Sequence, residues 1–308
     1  MTIQEKLQII QKLSGLSQEN LAHELHVSFA TLNSWINNRS QPHQKKLQKI
    51  NDLFTKYTKL DLGDDQDNLN KKELILAKQT SQYTSNKNIL TLINSRPDVR
   101  DQFILSATYN TNRLEGSTLT EDETAAVIFR NQTLSNKHLI EHLEAKNHQT
   151  SLEFLLKYLE KNRINEELIL KLHSILMNGI LDNAGLYRNH GVRIVGSNVP
   201  TANHIRIPDL MRELVQEINQ KTKDIIRQVT QIHSKFEQIH PFSDGNGRIG
   251  RLILSAMLIL SNLPPVIIQA REKELYLKYL RKSQLKNDFS DLEDLVCDAI
   301  LNSFRIIN

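Results

Sequence analysis

The chain has 308 residues, with 39 Lys and Arg against 35 Asp and Glu, and its formal net charge is +4 at pH 7. This length suits about two domains, and the small basic excess permits a nucleic-acid partner without requiring one. Cys297 is the only cysteine, so an internal disulfide is excluded. The sequence has no signal-peptide pattern and no apolar run of the ~20 residues that cross a bilayer. We therefore expect a cytoplasmic chain, and the few β-branched alternations predict an all-α fold.

Residues 1–60 show the spacing of several short helices. Apolar residues recur every three or four positions near the start of this range and again near its end. Between them, Ser17 and Ser28 each stand before a short apolar segment, as helix N-caps do. His26 lies between the two segments and tolerates a left-handed turn better than most residues. The pattern predicts a helix-turn-helix unit.

This unit resembles the lambda-repressor-like helix-turn-helix family. The similarity lies in Leu16-Ser17-Gln18-Glu19-x-Leu21-Ala22 and in Val27-Ser28-x-x-Thr31-Leu32-x-x-Trp35. The resemblance implies that a set of side chains contacts DNA: Gln18, Ser28, Phe29, Ala30, Asn33, Ser34 and Arg39. Eight Lys and Arg against four Asp and Glu in residues 1–60 suit contact with phosphates. A protein-docking unit, or one that pairs two copies into a homodimer, is the alternative.

Residues 61–88 separate this unit from the rest of the chain. The acidic and polar run from Asp61 to Asn68 predicts a loop. A short helix is predicted from Lys71 to Thr80, and a second polar run follows it. We therefore assign 61–88 to a linker and 89–308 to a second domain.

The second domain is predicted to begin with a helix over 98–115, preceded by Pro97. This helix ends in Thr111-Asn112-Arg113-Leu114-Glu115-Gly116, where the glycine can end a helix. Further helices are predicted downstream, and one of them buries His173 among apolar residues in a structural role. Alternating apolar residues over 192–207 predict a small β-hairpin.

The densest polar cluster of the chain lies between two apolar helices, in residues 240–251. Gly245 and Gly247 allow close approach of a ligand to the backbone, just before a helix whose first N–H groups are unpaired. Arg248 and Arg251 can bind phosphate oxygens, and Asp244 can hold Mg²⁺. His240 can take a proton from a hydroxyl near neutral pH. The set indicates transfer of a phosphorus-centred group, and a plain turn between two helices is the alternative.

The sequence His240-Pro241-Phe242-Ser243-Asp244-Gly245-Asn246-Gly247-Arg248-Ile249-Gly250-Arg251 resembles the signature of the Fic (Fic/Doc) family, H-P-F-x-D/E-G-N-G-R-x-x-R. Members are all-helical enzymes, most of which transfer AMP from ATP to a protein hydroxyl. The resemblance implies His240 as the base and Asp244 as the Mg²⁺ ligand. It also implies an ATP-binding set: Asp244, Gly245, Asn246, Gly247, Arg248 and Arg251. Gly247 replaces the Lys of the Doc branch, a kinase, and this departure favours AMP transfer. The predicted hairpin is similar to the family's flap, which pairs with the target.

The end of helix 98–115 resembles the inhibitory motif S/T-x-x-x-E-G/N of the family. The resemblance implies regulatory roles for Thr111, Glu115 and Gly116, with Glu115 paired to Arg251 in place of the ATP γ-phosphate. A carboxylate at that position repels the phosphate and occupies its arginine partner. A helix end without a regulatory role is the alternative.

These patterns lead to three hypotheses. The first is a protein adenylyltransferase that uses ATP and Mg²⁺ to modify a Ser, Thr or Tyr hydroxyl of another protein or of itself. The second is a DNA-binding regulator whose second domain senses a signal or modifies itself. The third is removal of AMP from modified proteins, with Glu115 positioning water. No membrane partner is expected in any of them.

Overall fold

The computed structural model describes residues 3–58, 71–84, 88–194 and 198–307. Every regular element in these ranges is helical, which confirms the predicted all-α class. The chain divides into two compact units, with the boundary between residues 70 and 71. The predicted loop at 61–68 lies outside the described residues. None of the helices in the described ranges combines the length and the apolar character needed to cross a membrane.

The first unit has four helices in its described part: α1 (Ile3–Ser14), α2 (Gln18–Glu24), α3 (Phe29–Ile36) and α4 (Gln44–Thr58). Ser17 Oγ accepts a hydrogen bond from the Asn20 N–H, and Ser28 Oγ accepts one from the Thr31 N–H, so both N-caps are confirmed. His26 has the left-handed φ of 51° expected at the turn. Apolar side chains from all four helices form one core, including Leu7, Ile10, Leu21, Leu32, Trp35, Ile50 and Phe54.

The second unit has eleven helices in its described part. They are α5 (Lys71–Thr84), α6 (Ile89–Ser95), α7 (Pro97–Glu115), α8 (Glu121–Arg130), α9 (Leu139–Leu159), α10 (Glu166–Leu176), α11 (Ile207–Ile218), α12 (Ile225–Ile239), α13 (Asn246–Leu260), α14 (Lys273–Lys286) and α15 (Ser290–Ile307). Two 3₁₀ turns, His204–Arg206 and Ala270–Glu272, precede α11 and α14.

Helix α5 belongs to the second unit, although the sequence analysis placed these residues in the linker. Ile75 is fully buried in the core of that unit. Lys71 Nζ lies 2.7 Å from Asp294 Oδ1 and 2.8 Å from Asp298 Oδ2, both on α15. Partly exposed ion pairs contribute little each, so the buried apolar contact is the main stabilising interaction of this helix.

Helix α13 is the central helix of the second unit. It packs against α12, α7, α9 and α10, and almost every residue from Asn246 to Ile259 is buried. Each fully buried Leu or Ile side chain stabilises the fold by roughly 1.5–3 kcal/mol. This packing fixes the first turn of α13, where the residues of the predicted signature lie.

Residues 190–203, which we call the flap segment, contain most of the predicted hairpin. Its described residues form no β-strand, so they differ from the hairpin that the alternation predicted; residues 195–197 lie outside the description. One hydrogen bond, from Thr201 Oγ1 to the carbonyl of Val192, joins the two arms over 2.8 Å. Alternation of apolar and polar residues indicates which face of a strand each side chain would occupy. A strand also requires a ladder of backbone hydrogen bonds to a neighbouring strand, which the alternation does not predict.

Candidate active site

A cavity of about 680 Å³ lies where α7, α12, α13 and α14 meet in the second unit. Its lining includes residues of the predicted signature together with the end of the predicted inhibitory helix. They are Glu115, His240, Asp244, Gly245, Asn246, Gly247 and Arg251. The fold therefore brings together side chains and backbone that are more than 120 positions apart in sequence.

His240 ends α12 and lines this cavity. Its backbone is left-handed, with φ 50° and ψ 62°, and its N–H donates to the Phe236 carbonyl over 3.0 Å. Its ring Nδ1 lies 3.3 Å from the carbonyl oxygen of Glu237, which can only accept, so Nδ1 carries the proton in the neutral ring. Burial lowers the pKa of His240, and the Arg188 guanidinium lowers this pKa further. Nε2 is therefore available to accept a proton at neutral pH.

The first turn of α13 opens into the same cavity. Gly245 has φ 78°, and a methyl group added to it would lie 2.9 Å from Met177 Sδ, so both conformation and space require glycine. The first N–H groups of a helix have no acceptor within the helix and carry the positive end of its dipole. The turn can therefore bind an anionic group such as a phosphate.

Asp244 is the residue that could hold a metal ion here. Its side chain is 61% exposed, and Oδ1 accepts a hydrogen bond of 2.6 Å from the Gly245 N–H. Mg²⁺ commonly binds proteins through one or two carboxylates together with substrate phosphates. The described residues contain no group of three or more His, Cys, Asp or Glu side chains that could hold a metal ion, so an ion at Asp244 would need further ligands, such as substrate phosphates.

Asn246 holds the loop closed. Its Oδ1 accepts from the Phe242 N–H and its Nδ2 donates to the Phe242 carbonyl, both over 2.9 Å. Asn246 was predicted to bind ATP, but its side-chain polar atoms are engaged within the protein. Its backbone N–H lies in the first turn of α13, and a phosphate contact by Asn246 stays a prediction.

Phe242 anchors the loop in the core. Its ring is fully buried and stacks on His173, with centroids 3.7 Å apart and planes at 6°. His173 Nδ1 accepts from the Gly185 N–H, and Nε2 lies 3.1 Å from the Asp244 carbonyl. Burial lowers the pKa of His173 to about 4. His173 is thus a neutral structural residue, as its apolar neighbours in sequence predicted.

Replacing Phe242 with alanine is expected to lower the free energy of unfolding of the second unit by about 3–5 kcal/mol, because it empties a packed aromatic site. Phe129→Ala is the matched control: this ring is 39% exposed, and surface changes of this kind cost about 0.5 kcal/mol or less. Urea unfolding followed by circular dichroism measures both. A Phe242 variant no less stable than the control would show that the ring does not anchor the loop.

The end of α7 closes one side of the cavity. Arg251 Nη2 donates to Glu115 Oε1, and Arg251 Nε donates to Thr111 Oγ1 over 2.7 Å. Burial raises the pKa of Glu115, but the Arg251 guanidinium outweighs this effect and holds the pKa of Glu115 below its usual value. Glu115 is therefore ionised at neutral pH and paired with Arg251, the arrangement that the resemblance predicted.

The position of the Glu115 carboxylate depends on two glycines, Gly116 and Gly247. Gly116 ends α7 with φ 111°, a backbone conformation that residues with a side chain rarely adopt. A methyl group on Gly247 would lie 2.6 Å from Glu115 Oε1. The carboxylate therefore lies directly over the first turn of α13, on the surface where we expect an anion to bind.

Arg248 lies in a different environment from Arg251. Its side chain is 2% exposed, and Nη1 donates to Glu144 Oε1 on α9 over 2.8 Å. Its Nη2 lies 3.9 Å from Asp244 Oδ1. Nothing in the sequence indicated a role for Glu144, and Arg248 was predicted to contact phosphates. In the structure Arg248 links α13 to α9, and a phosphate contact by this residue stays a prediction.

Glu237 is a second residue that the sequence analysis missed. It lines the cavity one turn before His240, and burial raises its pKa to about 7. Its Oε1 has no hydrogen-bond partner among the described residues. Position i−3 from His240 on an amphipathic helix is a signal that could have found it. Neighbouring His233 accepts or donates a 2.7 Å hydrogen bond with the Tyr276 hydroxyl.

The residues predicted to contact DNA lie in the first unit, on and around α3. Phe29 is 46% exposed, and Ser28, Ala30 and Arg39 are also exposed. Gln18, Asn33 and Ser34 are half-buried. The hydroxyls of Ser28 and Ser34 already bond within the unit, to the Thr31 N–H and to Ser40 Oγ. The exposed members therefore form the part of the predicted set that is open to a partner.

Comparison with known proteins bears on both units. Residues 163–258 match the model of the Fic/DOC family, and residues 8–57 match a helix-turn-helix model. The chain contains a Fic/DOC domain. The matched range of this Fic/DOC domain includes His240 and the whole first turn of α13, whereas Glu115 lies before it.

The relatives of the Fic/DOC domain are longer proteins. A protein adenylyltransferase Fic of Nematostella vectensis is 30% identical over 194 residues, which cover 57% of this chain and 42% of the relative. The protein adenylyltransferase fic-1 of Caenorhabditis elegans is 30% identical over 184 residues, or 58% of this chain and 36% of the relative. The chain thus spans about two fifths of the length of these relatives.

A crystal structure supports the fold assignment. The Fic-domain-containing signaling protein of Bacteroides thetaiotaomicron superposes with a TM-score of 0.66 at 23% identity. The superposition covers 77% of this chain and 97% of that protein. At this identity the likeness concerns the fold, which the Fic/DOC domain therefore shares with that protein.

Proposed function

We propose that the second unit transfers AMP from ATP to a hydroxyl group of a protein side chain. The observation that carries the proposal is the common cavity of His240, the first turn of α13 and Arg251. A proton acceptor and an anion-binding turn at one cavity fit transfer of a phosphorus-centred group. Relatives named protein adenylyltransferase, at 30% identity, support AMP as that group.

In the proposed reaction His240 Nε2 takes the proton of a Ser, Thr or Tyr hydroxyl. The hydroxyl oxygen forms a bond to the α-phosphorus of ATP, the bond from that phosphorus to the β-phosphate oxygen breaks, and pyrophosphate leaves. The first N–H groups of α13 and the Arg251 guanidinium bind phosphate oxygens as negative charge builds up on them. Mg²⁺, which Asp244 would hold together with the phosphates, supplies further positive charge when bound.

Glu115 is proposed to restrain this reaction. Its carboxylate is paired with Arg251 and lies over Gly247, so a phosphate at that place meets a negative charge and finds its arginine partner occupied. ATP then either binds weakly or binds with its phosphates displaced from the productive position. The rate of AMP transfer is expected to be low in the resting form of the chain and to rise when Glu115 moves away from Arg251.

The experiment that tests the activity uses the full chain with Mg²⁺ and ATP labelled in parallel at the α- or γ-phosphate. Adenylylation predicts that the α label alone is transferred to protein, with release of pyrophosphate. Transfer of the γ label would show a kinase instead. Release of AMP from an adenylylated protein, without transfer from ATP, would assign the reverse activity. A labelled chain in the absence of any other protein would identify the protein itself as a target.

The first unit is proposed to bind DNA. DNA binding would either direct the enzyme to its place of action or be regulated by the activity of the second unit. Both functions are proposed for a cytoplasmic protein. The helix-turn-helix match over residues 8–57 favours this function. The exposed Phe29, Ala30 and Arg39 around α3 offer an apolar contact for thymine methyls and a positive charge for a phosphate.

Binding of the full chain to DNA selected from a random pool is expected to weaken linearly in a plot of log affinity against log salt concentration. Arg39→Ala should weaken binding and reduce the slope by about one, because one phosphate contact is lost. Arg130→Ala, an exposed arginine on α8 of the second unit, is the matched control. A flat salt response, or equal loss in the two variants, would reject this role for the first unit.

A further inference from the structure

Arg188 joins the flap segment to the end of α12. It is 2% exposed and lies between α10 and the flap segment. Its Nε donates to the His240 carbonyl over 2.7 Å, and its Nη2 lies 3.3 Å from the Ile239 carbonyl. On the other side, the guanidinium donates to His190 and Ala202 carbonyls in the flap segment, over 2.5 and 2.7 Å. One rigid group thus connects the two arms of the flap segment to the residue proposed as the base.

The acceptors of Arg188 explain how a buried charge is tolerated there. All four are backbone carbonyls, and two of them lie at the C-terminal end of α12. The last carbonyls of a helix have no partner within the helix and carry the negative end of its dipole. A guanidinium presents several donors in a fixed plane and is therefore able to satisfy them together. The backbone N–H of Arg188 also donates to the Pro241 carbonyl, over 2.9 Å.

These bonds fix an unfavourable backbone conformation. His240 has φ 50°, in the left-handed region, which histidine tolerates better than most residues but which still costs free energy for a residue with a Cβ atom. This turn directs the chain out of α12 and sets where the imidazole lies in the cavity. The carbonyls on both sides of the His240 Cα, those of Ile239 and His240 itself, are the ones that Arg188 holds.

We propose that Arg188 is a positioning residue for AMP transfer: it holds the His240 imidazole in its reactive position and keeps the flap segment attached to the same stretch of backbone. This inference rests on the proposed function, because Arg188 affects AMP transfer only through the position of His240, the proposed base. Arg188 does not line the cavity in which the reacting atoms and the phosphates would lie. Its loss should therefore affect the chemical step more than nucleotide binding.

The charge of Arg188 gives a second readout. The groups that act on the pKa of His240 come from every side of the cavity. Burial lowers it first, the Glu237 carbonyl raises it, Arg188 lowers it, and the Asp244 and Glu115 carboxylates raise it. Removing the Arg188 charge should therefore raise the pKa of His240. A residue with a packing role alone would leave this pKa where it is.

The test compares Arg188→Met and Arg188→Lys with Arg212→Met, an arginine that is 63% exposed on α11. In a Glu115→Gly background, Arg188→Met should lower kcat for AMP transfer by about tenfold to a hundredfold, with little change in KM for ATP. In a plot of kcat against pH, the rise on the acidic side should move to higher pH in this variant. Arg188→Lys keeps the charge and loses the planar fork, so its kcat should fall while the pKa of His240 stays near that of the parent.

Two measurements separate this inference from the proposed function. An NMR titration of the His240 ring needs no turnover, and neither does hydrogen exchange of the flap amides over residues 198–203. Arg188→Met should raise the His240 pKa and speed flap exchange even if the Glu115→Gly parent transfers no AMP, a result that would reject only the function. If the Met variant does not fold, the Lys variant decides. An unchanged kcat and unchanged flap exchange in Arg188→Lys, or an unchanged His240 pKa in a folded Arg188→Met, would overturn the proposal.

Discussion

Glu115→Gly is expected to raise the rate of AMP transfer by about 5- to 150-fold, the range of a typical coupling free energy between sites. In the wild type the carboxylate pairs with Arg251 and lies over Gly247. Its removal frees the guanidinium and clears the first turn of α13 for a phosphate. Incorporation of label from α-labelled ATP measures the rate, and calorimetry should show tighter ATP binding by the variant.

Two further variants sharpen this experiment. Glu115→Gln keeps the size of the side chain and removes its charge, so it should fall between wild type and Glu115→Gly if repulsion of the phosphate matters. Glu121→Gly, at the exposed first turn of α8, controls for the loss of a helix-terminal glutamate and should behave as wild type. A Glu115→Gly protein no faster than the Glu121→Gly control would remove the inhibitory role of this residue.

His240→Ala, made in the Glu115→Gly background, is expected to slow transfer by about 10²- to 10⁴-fold, the usual contribution of a general base. ATP should bind almost as well as before, because the phosphate contacts come from α13 and not from the imidazole. His43→Ala, an exposed histidine before α4 in the first unit, is the matched control. A His240→Ala enzyme as fast as its Glu115→Gly parent would show that another group takes the proton.

The pH dependence of the parent supports the same test. His240 must be neutral to accept a proton, and burial followed by the Arg188 charge holds its pKa below the ordinary 6.5. The rate should therefore rise as pH increases through a value below 6.5 and reach a plateau by neutral pH. The remaining activity of His240→Ala should lack this acid limb, and an acid limb that persists unchanged would belong to another residue.

The sequence could predict the parts of the site that are local along the chain. The helix before His240, the glycine turn and the start of α13 follow from spacing alone, as do the Ser17 and Ser28 caps. The pair between Glu115 and Arg251, 136 positions apart, was predicted only through the resemblance to a family. Spacing by itself does not tell which distant residues meet.

The parts that escaped prediction depend on tertiary partners. Glu144 lies on α9, and nothing in its neighbourhood distinguishes it from other glutamates of that helix, yet it receives the buried Arg248. Asn246 was assigned to ATP only through the resemblance to the Fic family, but the Phe242 backbone satisfies both of its side-chain polar atoms. A side chain's chemistry limits its possible partners, and the packed fold selects among them.

A crystal structure of the Glu115→Gly protein with Mg²⁺ and a non-hydrolysable ATP analogue tests the central claim most directly. We expect the phosphates along the first turn of α13, with Arg251 turned from its former partner to a phosphate oxygen and the α-phosphate beside His240 Nε2. A nucleotide bound elsewhere, or an α-phosphate out of reach of that imidazole, would contradict the proposed role of residues 240–251.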